Sequence, residues 1–123
     1  MTTSRRGARR SALFALYKWD LTGKLELEPD ADEYTRRTVD AVQARTEELD
    51  ARITESAQGW TADRLGVVER NVLRIAIEEI ESGAAPVEVA IDEAVTLAKR
   101  YASEDAGKLV NGILGRVARE EVA

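Results

Sequence analysis

Four arginines fall within six residues near the start of the chain: Arg5, Arg6, Arg9 and Arg10. Guanidinium groups at that density suit phosphate, which meets their planar fork of N–H donors. Residues 1–18 carry +5, counting Lys18, and no acid; the formal charge of −5 over 123 residues therefore leaves −10 on the remainder. A basic arm on an acidic body suits two partners of opposite sign, one anionic and one basic, although a solvated tail explains the arm's charge equally well. Histidine and cysteine are both absent. Their absence excludes thiol chemistry, disulfides, zinc ligation by sulfur or imidazole, and every Ser-His or Cys-His nucleophile pair. Gly107-Lys108 resembles the end of a phosphate loop, but Ala102 stands in place of its first glycine and Leu109 in place of its Ser/Thr. The neighbouring acids Glu47-Glu48 and Glu78-Glu79 point to different sides of a helix. Neither makes an acid/base dyad; they read as solvated helix surface or, for Glu79, as half of an ion pair. The chemistry expected is binding, without catalysis, metal or cofactor.

These residues need elements to position them, and helical spacing recurs through the whole chain. Apolar residues make up 44% and charged residues 33%, which calls for a packed core under a solvated surface. The spacing predicts a first helix from about Ser4, its N-cap, to Thr22, stopped by Gly23. A loop through Pro29 leads to one or two helices between residues 32 and 57, carrying Tyr34, Val39, Val42, Leu49 and Ile53. Gly59-Trp60-Thr61 breaks the chain, and Thr61 is placed to cap a short turn. Helices follow at about 67–82, 87–101 and 105–120, with Pro86 near the start of one and Ser103 as the cap of the last. The result is a single all-α bundle in two halves, about 1–58 and 61–123. No apolar run approaches the ~18 residues of a membrane span, and the basic start lacks the apolar stretch of a secretory signal. A soluble, cytoplasmic protein is expected.

Helical wheels sharpen the roles. Around the helix from Val67, the residues Leu65, Val68, Val72, Leu73, Ile75, Ala76, Ile77 and Ile80 cover an arc wider than one packing face, so this helix should be central. Glu79 falls inside that arc and calls for an internal arginine such as Arg36 or Arg37. Glu69 lies in the first turn, where the helix dipole favours a carboxylate, and is the better candidate for contact with another molecule. Tyr101 closes the apolar arc of the next helix, either emerging at the bundle's end or serving as an ordinary core tyrosine with a wet hydroxyl. In the last helix, Leu109 borders a strip of Lys108, Gly112, Arg116 and Arg119, and the spacing running through Asn111-Gly112 gives Gly112 a close-packing role. The arginines of the first helix share a sector with Leu13, Leu16 and Tyr17; since they cannot all be in the core, its first two turns are expected to overhang the body.

Three stretches together resemble the NusB family of bacterial transcription antitermination factors. They are Arg5-Arg6-Gly7-Ala8-Arg9-Arg10 with Ala15-Leu16-Tyr17-Lys18-Trp19-Asp20; residues 68–76 (VERNVLRIA); and residues 89–99 (VAIDEAVTLAK) with Glu104-Asp105 and Lys108-Leu109-Val110-Asn111-Gly112-Ile113-Leu114. The match runs in the family's order, with only the middle, about residues 24–58, nondescript. The resemblance implies a compact bundle of about six to seven helices in two small subdomains and no catalytic activity. It implies binding of the boxA element of nascent ribosomal RNA, together with the small-subunit ribosomal protein NusE, in an antitermination complex with RNA polymerase. It implies RNA contacts at Arg5, Arg6, Arg9, Arg10, Tyr101, Asp105, Lys108 and Leu109, and NusE contacts at Tyr17, Asp63 and Glu69.

One departure matters. Many relatives carry phenylalanine where this chain has Leu109, and leucine has no ring to stack a base, a contact worth ~1–3 kcal/mol. Gly7 also thins the charge of the arm. An acidic body repels RNA over most of its surface, so binding should be weak alone and tight, salt-sensitive binding should require the basic partner. Two other readings stand beside this one: a helical RNA-binding adaptor of an rRNA-modifying enzyme, and a protein-only helical interaction module. The apolar arcs leave monomer and homodimer open.

Overall fold

The computed structural model describes residues 4–122 and the side chains of 4–120. It holds six α-helices: α1 (Arg5–Thr22), α2 (Glu33–Ala44), α3 (Thr46–Ser56), α4 (Val67–Ser82), α5 (Val87–Tyr101) and α6 (Glu104–Val122), with a 3₁₀ turn at Ala62–Arg64 between α3 and α4. Among the described residues, no helix is long and apolar enough to cross a membrane.

The punctuation follows the sequence closely. Ser4 caps α1 by accepting from the Gly7 N–H at 3.0 Å, and Gly23 ends the helix at φ 76°, a conformation that costs a side-chain-bearing residue more than glycine. Asp32 caps α2 through the Tyr34 N–H, Pro86 takes the N-cap position of α5, and Ser103 accepts from the Ala106 N–H at the start of α6. Thr61 precedes the 3₁₀ turn without capping it through its side chain. The Asn111-Gly112 pair lies inside an unbroken α6.

The central position of α4 is confirmed. It packs on each of the other five helices, and residues 71–80 are all buried. One apolar cluster draws on every helix, with Leu13 and Leu16 from α1, Val39 and Val42 from α2, and Leu49 and Ile53 from α3. Leu73 and Ile77 from α4, Leu97 from α5, and Ile113 and Leu114 from α6 complete its middle.

A helix buried on all sides must match its polar residues with partners. Arg74 of α4 meets Asp50 of α3 at 2.7 and 2.8 Å and Asp20 of α1 at 3.2 Å, and Asp20 also accepts from Arg70 and Asn71. Two expectations about acids need correction here. Glu78 is 2% exposed, not solvated surface, and accepts from Arg37 at 2.6 Å. Glu79 is paired, but with Arg9 of α1 instead of Arg36 or Arg37. The reason is positional: α1 crosses α4 directly over Glu79, while Arg37 faces Glu78 and Arg36 turns to the loop, donating to the carbonyls of Glu28, Pro29 and Ala31. Gly112 is also reassigned. A Cβ there would come no nearer than 3.8 Å to Arg116, whereas at Gly107 it would lie 2.6 Å from Cγ of Lys99, so the close approach of α5 and α6 belongs to Gly107.

Candidate functional site

The four arginines of α1 have four different environments. Arg9 is 5% exposed and donates through Nε to both carboxylate oxygens of Glu79, at 2.9 and 3.1 Å. The Tyr34 hydroxyl donates to the same carboxylate. Burial first, then the hydrogen bond to Glu79, holds the Tyr34 phenol above its usual range, so it remains the donor. Arg5 lies outside, its guanidinium carbon 3.9 Å from the centre of the Tyr34 ring. Arg6 reaches across to α5, where Nε and Nη2 grip Glu93 at 2.9 to 3.3 Å. Arg10 is exposed.

The expected overhang is therefore corrected. The first two turns of α1 lie on the body, because Gly7, Ala8 and Arg9 are buried and Arg9 finds a buried carboxylate of opposite charge. The pattern of α1 alone carries no sign of Glu79, which α4 sets beneath Arg9. Arg9 is consequently internal, while Arg5, Arg6 and Arg10 remain on the surface.

At the end of α5, Tyr101 is half-buried and meets Phe14 of α1 edge to face, ring centres 5.1 Å apart. The Arg100 guanidinium stands 5.5 Å from the Tyr101 ring centre. Asp105 and Lys108 are exposed on the first turns of α6, and Leu109 is half-buried against the core. Phe14, 50% exposed, escaped the sequence reading. The signal was present: Arg10, Phe14, Tyr17 and Leu21 follow helical spacing, and the last three are exposed large apolar residues.

Tyr17 joins Leu13, Phe14, Val68 and Tyr101 around a cleft of about 210 Å³. Val68 lies in the first turn of α4 beside Glu69, whose half-buried carboxylate folds back over the N-cap residue; a Cβ on Gly66 would lie 2.6 Å from Oε2. Asp63 is separate from this cleft. It is exposed on the 3₁₀ turn and lines a depression of about 480 Å³ that also contains Glu47, Asp50 and Glu55. The Thr61 hydroxyl lowers the Asp63 carboxyl below its ordinary range. The surface thus offers cations and aromatic rings along α1 and the α5–α6 junction, and carboxylates around the 3₁₀ turn. Among the described residues, no group of three or more acids is placed to hold a metal ion.

The model of the NusB family matches residues 6–119. The transcription antitermination protein NusB of Aquifex aeolicus is 41% identical, over 92% of this chain and 86% of its own length. The NusB of Saccharopolyspora erythraea is 38% identical, over 94% and 86%. Among solved structures, Thermotoga maritima NusB superposes with a TM-score of 0.88 at 37% identity, covering 98% of this chain and 94% of that one. A chain from a crystal structure of the antitermination factors NusB and NusE in complex with dsRNA gives a TM-score of 0.82 at 35% identity, over 94% and 96%.

Proposed function

Because the chain belongs to the NusB family, we propose that it is a transcription antitermination factor that binds boxA RNA together with NusE. In this reading it helps RNA polymerase to read through terminators, as a binding protein with no reaction of its own. The observation that carries the reading is the surface placement of Arg5, Arg6 and Arg10 on α1, with Tyr101, Asp105 and Lys108 exposed or half-buried at the α5–α6 junction. Cations meet phosphates, rings stack bases and a carboxylate accepts from a base edge; a single-stranded element read by sequence needs all three. Leu109 contributes an apolar contact without a ring, so stacking falls to Tyr101 and Phe14.

NusE is assigned to Tyr17 and Glu69 at the edge of the cleft that also holds Phe14 and Tyr101, and to Asp63 on the separate acidic depression of the 3₁₀ turn. A basic ribosomal protein there would neutralise acids that otherwise repel RNA and would extend the cationic surface. The test is a titration of a boxA RNA against a scrambled RNA, with and without NusE. Preference for boxA that NusE tightens is expected. The double variant D63N/E69Q should lose the tightening by NusE while keeping the weak binding of RNA alone. Failure of either RNA to bind under any of these conditions would move the function to a protein-only module.

A further inference from the structure

Arg6 is not free in the folded chain. Its Nε and Nη2, the edge of the guanidinium that takes a carboxylate or phosphate in parallel, both point at Glu93 of α5. The two ends of the pair differ in exposure: the Arg6 side chain is 71% exposed and that of Glu93 only 14%. The Arg6 hydrogen bond is the largest influence holding the Glu93 carboxyl below its ordinary range, so the acid is ionised at neutral pH. An incoming phosphate therefore meets a cation whose charge is matched and whose bidentate edge is already filled.

We propose that Glu93 sets the RNA affinity of this protein by competing with phosphate for the bidentate edge of Arg6. The inference rests on the reading of α1 as the RNA-binding element. Binding then exchanges one oxyanion for another at Arg6 and leaves a mostly sheltered carboxylate without its donor. The exchange yields less than a free arginine would. It also discriminates, since only an RNA that makes enough other contacts can displace the internal acid.

The test uses full-length protein and a single-stranded boxA RNA, titrated over a range of salt. E93Q keeps the size of the side chain and removes its charge; E93A removes the acceptor altogether. Both should bind RNA about two- to five-fold more tightly, the range expected from releasing an exposed ion pair. The slope of log affinity against log salt should steepen by up to ~0.7, one further phosphate neutralised. D92N, the same charge change at the adjacent exposed residue, should give a smaller gain, and on an R6A background the gain from E93Q should vanish. Thermal unfolding of each variant checks that the fold is retained.

Unchanged or weaker binding by E93Q would overturn the proposal and make Glu93 a residue that holds Arg6 in place for RNA. An equal gain from D92N, or a gain that survives R6A, would also overturn it, leaving only a general charge effect. If R6A by itself binds RNA as tightly as the unaltered protein, the RNA-binding role of Arg6 fails first and the proposal with it.

Discussion

The consecutive arginines Arg9 and Arg10 of α1 have different duties. Arg9 neutralises the buried Glu79, and the Tyr34 hydroxyl completes that carboxylate's partners. Removing one member of a buried pair strands the other charge, a loss of about 3–5 kcal/mol. R9A should lower stability by that order in a urea titration. R10A, at an exposed position, should stay within about 0.5 kcal/mol of the unaltered protein and instead weaken RNA binding. Equal stability losses in the two variants would contradict this division. Composition could not separate the two residues, because both are arginines in one basic run. The distinction comes from α4, seventy residues away in sequence, which places Glu79 beneath one of them.

At the scale of the element, the helices were legible because each carries its own period and its own stops. Ser4, Gly23 and Ser103 act locally, and local signals survive without knowledge of the fold. What a glycine inside a helix is for was not legible, since that depends on the neighbouring helix. Gly107 and Gly112 lie on the same helix, yet only Gly107 faces Lys99 of α5 at close range. G112A should therefore raise stability by about 0.5–1 kcal/mol, the usual difference between the two residues in a helix interior. G107A should lower it, because the added methyl meets Cγ of Lys99 rather than the tip of a flexible chain. Thermal unfolding of the two variants side by side checks both signs.

Over the whole molecule, ion pairs tie the helices to one another. Asp20 of α1 and Asp50 of α3 meet on Arg74 of α4, Glu78 of α4 holds Arg37 of α2, and Glu81 of α4 holds both Arg45 and Arg52. Burial pushes the Asp20 carboxyl up, but hydrogen bonds from Arg70 and Asn71 and the charges of Arg70 and Arg74 outweigh it, leaving the net value below the ordinary range. A carboxyl lowered by folding stabilises the native state above its unfolded pKa of about 4, and that contribution is lost as pH falls through the lower folded value. Stability should thus fall on acidification below about pH 4. In D20N it should be lower at neutral pH and decline less steeply over the same acid range. Urea titrations between pH 2 and pH 7 would show this; parallel curves for the two proteins would refute it.

The sequence by itself determined the all-helical class, the centrality of α4, the ends of α1, α4 and α5 and the uneven charge along the chain, because period, caps and net charge are properties of the chain read in order; it left residues 32–57 as one helix or two. Only the tertiary structure decided which arginine is internal, that Glu78 is buried, that Phe14 stands beside Tyr101, and that Arg6 is held by Glu93. Each of these is a pairing between helices far apart in the chain. A wheel drawn for one helix shows which face is apolar and says nothing of the charge or ring that another helix brings to it.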